Sequence, residues 1–234
     1  PKLVEGKSIH DITAETIRQF SDGLKMVDTV KVRYNKKLDT TKFRKSGWYK
    51  ATKEECLKER VFAMYYKNFD IGNDISIKAS YVPYDFTKKP NLAFEFSVAK
   101  VLFENNCQIW PGEVSVAGIN AKLKRITDEL GIEPLDILDG VITRIDIAFN
   151  WKVGGKVKDY LQYLKKQYYP RRTRDVYMNN SKKAQETGED NGVAFTSRKK
   201  VTKIYDKELE AGMPESNGIL RLEATVTGSG NIDR

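Results

Sequence analysis

Histidine is almost missing from this 234-residue chain, which holds His10 and no other. Mechanisms that need two imidazoles, as metal ligands or as an acid and base, are thereby excluded. Cysteine is nearly as scarce: Cys56 and Cys107 stand alone with no CxxC spacing. Neither a zinc site nor a disulfide framework is indicated, and two separate buried thiols in a reducing, cytoplasmic setting fit. No run approaches the roughly 18 apolar residues that a membrane-spanning helix needs, and no basic amphipathic helix stands out, so no membrane partner is expected. A signal-peptide pattern is also lacking, and Pro1 is not a natural start. The expectation is a processed or engineered fragment whose native C-terminal region continues past Arg234.

Positive charge is abundant. Lysine and arginine number 41 against 32 acids, a net charge of +9, and such a field attracts polyanions, nucleic acid first among them. The cations cluster at Lys165 and Lys166, at Arg171, Arg172 and Arg174, at Lys182 and Lys183, and at Arg198, Lys199, Lys200 and Lys203. The length suits a single domain over residues 1–234, with an N-terminal subdomain over 1–70 as a finer division.

The most convincing strand, VITRIDIAFNW at Val141 to Trp151, carries charge inside an apolar pattern. Strict alternation puts Val141, Thr143, Ile145, Ile147 and Phe149 on one face and Ile142, Arg144, Asp146, Ala148 and Asn150 on the other. Gly218 to Thr227 repeats the pattern with Arg221 and Glu223, and Leu92 to Val98 repeats it with Glu95. If these strands are neighbours, Glu95, Asp146 and Glu223 line one pocket; otherwise each charge faces solvent on a one-sided antiparallel sheet.

Further along the chain, a helix is predicted from Thr13 to about Gly23, a strand over Asp28 to Tyr34, and a basic loop over Asp39 to Lys50. A short exposed helix over Ala51 to Arg60 precedes strands at Val61 to Tyr66 and Asp74 to Tyr81, turned by Gly72 and Asn73. Ala99 to Asn106 reads as a short helix. Ser115 opens a stronger one, with Ile119, Leu123, Ile126 and Leu130 at helical spacing and Gly131 closing it. Val157, Leu161, Leu164 and Tyr168 form the stripe of another helix. Arg171 to Asp190 reads as a mobile loop, and Gly192 to Ser197 with Val201 to Asp206 as a hairpin turned by Arg198 to Lys200. This order predicts an α+β fold, a central antiparallel β-sheet with helices packed on one face.

In the second hairpin strand, alternation sends Lys203, Tyr205 and Lys207 to one side. A tyrosine between ammonium groups is expected to be an easier nucleophile, because cations favour the phenolate and hold a phosphate nearby. Three carboxylates suit a hard divalent cation, Mg2+ or Mn2+. Arg144 and Arg221 either pair with Asp146 and Glu223 or contact backbone phosphates.

The segments TRIDIAFNW at Thr143, SRKKVTKIYDKELE at Ser197 and LRLEATV at Leu220, with ISIKAS at Ile75 or FEFSVAKVL at Phe94, resemble the rolling-circle replication initiators. Two branches are similar: initiators of small Gram-positive plasmids and the replication initiator endonuclease of filamentous phages. The resemblance spans about two thirds of the chain, from Ile75 to Val226. It implies that Tyr205 attacks DNA, that Glu95, Asp146 and Glu223 hold the metal, and that Arg198 and Lys207 steady phosphates. Lys199, Lys200 and Lys203 join Arg144 and Arg221 as expected DNA contacts. Members nick one strand at an origin, retain its 5′ end as a phosphotyrosine and leave a 3′ hydroxyl. Many relatives bind metal through a histidine pair, which this chain lacks; acids take that place in the branches it resembles. Glu104 or Asp74 could replace Glu95, and Tyr177 is the second choice of nucleophile. The implied partner is single-stranded or hairpin origin DNA, and the resemblance admits a host helicase and a dimer. Competing readings are a conjugative relaxase and a non-catalytic origin or operator binder.

Overall fold

Val141–Lys152 (β6) runs through the middle of an antiparallel sheet, between Val27–Tyr34 (β1) and Ile219–Thr227 (β10). In the computed structural model, which describes residues 27–84, 89–104, 115–166, 173–177, 191–196 and 200–228, the sheet extends both ways from this centre. Beyond β1 lie Asn91–Ser97 (β5), Ser76–Val82 (β4), Tyr65–Asp70 (β3) and the two-residue Tyr49–Lys50 (β2). Beyond β10 lie Lys200–Asp206 (β9), Gly192–Thr196 (β8) and Thr173–Tyr177 (β7). The helix expected from Thr13, the turn residues Arg198 and Lys199, and the closing residues 229–234 lie outside the described residues.

Helices cover most of one face. Val116–Leu130 (α3) begins at Ser115, whose side chain accepts from the Gly118 N–H, and ends at Gly131 in the left-handed region. Its Ile119, Leu123 and Ile126 pack on Val30, Val32, Phe94 and Phe96, together with Val98 and Val101 of Val98–Phe103 (α2). Val157–Lys166 (α4) does the same at the other end, setting Val157 and Leu161 against Val193, Phe195, Ile204 and Leu220. Full burial of each such side chain contributes roughly 1.5–3 kcal/mol. The α+β class is as the pattern predicts, with one addition. Short Lys53–Lys58 (α1), held by a reciprocal Thr52–Glu55 capping box, lies on the opposite face, where Cys56 meets Met64, Tyr66 and Val82.

Three local expectations change. Asp39 to Lys50 is not simply loop: Asp39 caps a 3-10 turn over Thr40–Ser46, Phe43 stacks on Trp48 at 4.5 Å, and both rings enter the core. The expected strand over Val61 to Tyr66 starts four residues later. The Val61 N–H closes α1 on the Cys56 carbonyl and the Met64 carbonyl accepts from Ala51, so that stretch is spent before β3 begins. The Arg171 to Asp190 segment contains β7, which pairs with β8 along its whole length.

Alternation on β6 is interrupted. Val32 faces Ile142, but the adjacent Lys31 faces Arg144, so Thr143 is an extra residue: a β-bulge. Ile142 therefore packs into the helix-covered core along with Ile145, instead of sharing a face with Arg144 and Asp146. A second shift leaves Asp28 extra on β1, between Thr29 opposite Asp146 and Val27 opposite Ile147.

Candidate functional site

Directly opposed residues of an antiparallel pair point to the same side, so the register fixes what the face opposite α3 and α4 carries. One row crosses Lys78, Glu95, Lys31, Arg144 and Thr227 on β4, β5, β1, β6 and β10. The next carries Thr29, Asp146, Thr225 and Val201; the third Ala148, Glu223 and Lys203; the fourth Asn150, Arg221 and Tyr205. Glu95, Asp146, Glu223 and Tyr205 thus share one side of the sheet.

Spacing within that side separates them. Glu95 is not on a neighbour of β6, because β1 lies between. Asp146 sits opposite Thr225 and Tyr205 opposite Arg221, four residues of β10 apart, or roughly 14 Å at 3.4 Å per residue. Of the three acids, Glu223, midway, reaches the phenol: the Tyr205 hydroxyl donates to Glu223 Oε2 at 3.1 Å, while Lys203 Nζ donates to Oε1 at 3.1 Å. Tyr205 is 5% exposed. Burial first, then the negative charge of Glu223, pushes its phenol far up from the ordinary value, against the counter-pull of Arg221. The expectation that neighbouring cations favour the phenolate is reversed, since desolvation and a carboxylate partner outweigh them.

Arg144 joins the other two acids. Its Nε and Nη2 donate to Asp146 at 3.0 and 2.6 Å, and Nη1 donates to Glu95 at 2.7 Å. Burial works against its charge, but the hydrogen bonds and charge of Asp146, then Glu95 and Glu223, prevail and hold the guanidinium above its ordinary range. Asp146 is 2% exposed, so Arg144 compensates a buried charge.

As arranged, these acids do not fit a divalent cation. Both Asp146 oxygens accept from Arg144 and both Glu223 oxygens accept from Lys203 and Tyr205. Among the described residues, no three acidic, cysteine or histidine side chains stand close enough to hold one ion. Of the alternatives to Glu95, Glu104 closes α2 and accepts from Asn73, in the turn that also contains Asp74. Neither lies in the strand rows that carry Asp146 and Glu223.

The remaining expected residues divide. Arg221 is 3% exposed, donates to Asn150 Oδ1 at 2.7 Å and stands 3.5 Å from Asp28, so it is a buried anchor and not a surface contact for phosphate. Lys207 leaves the strand pattern because Asp206 accepts from the Glu208 and Leu209 N–H groups and caps Lys207–Ala211 (α5). It is fully buried and paired with Glu210; burial, then Arg221, lowers its pKa, while Glu210 and Asp28 oppose that shift. Lys200 opens β9, and Tyr177 lies in edge strand β7 opposite Gly192. Arg198 and Lys199 lie outside the described residues. Asp28 escaped sequence reading because the shift on β1 and the strand order bring it to Arg221, whereas Asn150, placed on the charged face by alternation, meets Arg221 through the pairing of β6 with β10.

Over the Arg144 row, a cavity of about 470 Å3 is lined by Lys78, Glu95, Lys31, Arg144 and Thr227 and closed by the chain from Glu59 to Tyr66. Among the described residues, no helix is long and apolar enough to cross a membrane. No protein-family model matches the chain, and no curated protein does. Among solved structures, it is similar to one titled as a rolling circle replication initiator protein from Geobacillus stearothermophilus, at 14% identity and a TM-score of 0.36, over 86% of this chain and 73% of that one.

Proposed function

We propose that this chain initiates rolling-circle replication by cutting and rejoining one DNA strand, with Tyr205 as nucleophile and Glu223 as its base. The observation that carries the reading is the 3.1 Å hydrogen bond from the Tyr205 hydroxyl to Glu223, itself held by Lys203. A phenol is a weak nucleophile until a positioned base takes its proton, and a nucleophile and base within hydrogen-bond reach are the signature of that activation. The motif resemblance and the net charge of +9 support DNA as the substrate.

In this mechanism the Tyr205 oxygen attacks phosphorus as its proton passes to Glu223. The bond from phosphorus to the 3′ oxygen breaks, and that oxygen takes up a proton to leave as a hydroxyl. The 5′ phosphate stays on the tyrosine, and attack by a 3′ hydroxyl reverses the sequence and rejoins a strand. Lys203, with a third of its side chain exposed, orients Glu223 and offers charge to the incoming phosphate. The divalent cation implied by the resemblance enters no step, because Glu95, Asp146 and Glu223 stand in separate rows and Arg144 and Lys203 already offset their charge.

A second reading, a DNA binder without catalysis, is favoured by the burial of Tyr205: a phenol 5% exposed must be uncovered before a phosphodiester reaches it. Incubation with a library of single-stranded and hairpin oligonucleotides plus Mg2+ or Mn2+, followed by a denaturing gel and mass spectrometry, separates the two. A covalent adduct on Tyr205 that is absent in Tyr205→Phe supports the nickase. An adduct on Tyr177 overturns the assignment, and DNA binding without any adduct leaves the binder.

A further inference from the structure

The row Lys78, Glu95, Lys31, Arg144 places four charges side by side on β4, β5, β1 and β6. Glu95 accepts from Arg144 Nη1, while Nε and Nη2 donate to Asp146. This leaves the ammonium groups of Lys31 and Lys78 with no ion-pair partner among the described residues, and both line the cavity of about 470 Å3. The same cavity carries an apolar patch: Tyr66, whose ring carries the Lys78 ammonium 4.7 Å from its centre, and the buried thioether of Met64. Arg144, the carboxylates of Glu59 and Glu95, the hydroxyls of Ser80 and Thr143, and Thr227 with Gly228 complete the lining. With Glu95 already held by Arg144, Lys31 and Lys78 face Glu59 as the one other carboxylate of the lining, and this positive excess beside a flat ring, a thioether and hydroxyls matches an anion joined to a planar heterocycle. The size falls within the roughly 300–1,000 Å3 of small-ligand pockets.

We infer that this cavity binds a single nucleotide unit of a DNA strand, its phosphate on Lys31 and Lys78 and its base against Tyr66 and Met64. Base stacking on an aromatic side chain is the recurring device of single-strand recognition. The subsite is separate from the reacting centre. Arg144 to Asn150, which stands at the register of Tyr205 through Arg221, is six residues of β6, or roughly 20 Å at 3.4 Å per residue. The nucleotide held here therefore lies several positions from the phosphodiester that Tyr205 attacks, and the cavity acts in positioning and sequence choice. Tyr66 remains a neutral phenol there, since burial first, then Glu55, pushes its pKa up to about 12.

The inference rests on the proposed function only for the ligand's membership in a DNA strand, and the cavity is tested alone. Heteronuclear NMR titration of the full chain with each deoxynucleoside 5′-monophosphate, and with inorganic phosphate, reads where and how tightly each probe binds. At least one nucleotide should shift the amides of Lys31, Tyr66, Lys78 and Ser80 and bind at least tenfold more tightly than phosphate. Lys31→Ala with Lys78→Ala should weaken it at least tenfold, and Tyr66→Leu at least fivefold, with Tyr66→Phe close to wild type. Shifts confined to the surroundings of Lys203 and Tyr205, equal binding of phosphate, unchanged binding by the variants, or no binding of any nucleotide would each overturn the subsite. The two readings fail separately: nucleotide binding in a protein that forms no adduct removes the nickase, and an adduct in a protein with an empty cavity removes the subsite.

Discussion

Tyr205→Phe should make a less stable protein at neutral pH and a more stable one in strong alkali. The hydroxyl donates to a carboxylate at 3.1 Å, and both partners are buried. Hydrogen bonds to charged groups contribute about 1.5–3 kcal/mol, so the variant should lose about 2 kcal/mol near pH 7. The phenol also titrates differently in the two states. Its folded pKa is raised above the unfolded value of about 10, so its contribution is full below that pH and declines as pH climbs toward the folded value. Unfolding releases the proton in that window, and stability falls by about 1.4 kcal/mol per pH unit. The phenylalanine variant lacks this slope, whereas Tyr34, Tyr66 and Lys207 titrate in both proteins and cancel in the difference. The wild-type advantage of about 2 kcal/mol should vanish near pH 11.5, about 1.5 units above the unfolded pKa, and then change sign. Paired urea denaturations between pH 7 and 12 measure it. A stability difference that stays constant above pH 10 would refute a phenol buried against Glu223.

Arg144→Met should cost about 3 kcal/mol in urea denaturation, because it strands the buried Asp146 carboxylate, and Asp146→Asn in the same chain should recover part of the loss. The variant also frees both Asp146 oxygens, so Mn2+ binding followed by electron paramagnetic resonance should tighten relative to wild type; weaker binding would mean that Arg144 does not occupy the place of a cation. Gly140→Ala should destabilise by about 1–3 kcal/mol, since a Cβ there would lie 2.1 Å from Val32 Cγ1 and 2.9 Å from the Tyr34 ring, and a melting temperature equal to wild type would show that β1 yields at that point.

Local pattern carried much of this architecture. Alternating apolar residues marked β1, β5, β6 and β10, and the Ser115 and Gly131 caps marked both ends of α3, because each signal resides within a few consecutive residues. The common face of Glu95, Asp146, Glu223 and Tyr205 follows from the same alternation once the strands are joined. Strand order is a long-range property, and no local pattern said that β1 separates β5 from β6 and removes Glu95 from direct company with Glu223. The pairing of Arg144 with two acids depends on that order too. Lys207 misled for a smaller reason: Asp206 can end a strand or cap a helix, and the capping bonds decide it. Burial of Tyr205 depends on packing from elements remote in the chain, to which period-two counting is blind.

The extra residue at Thr143 bears on any attempt to align this chain with remote relatives. Deleting it would keep Ile142 under the helices and Arg144 on the charged side, whereas a gap one position beyond Arg144 would turn the whole remainder of the strand over. An alignment through this region is physically sensible only if its single-residue gap falls between Ile142 and Arg144. Lineages free to gain or lose that residue could adjust the bend of the strand while leaving the arginine and aspartate where they are.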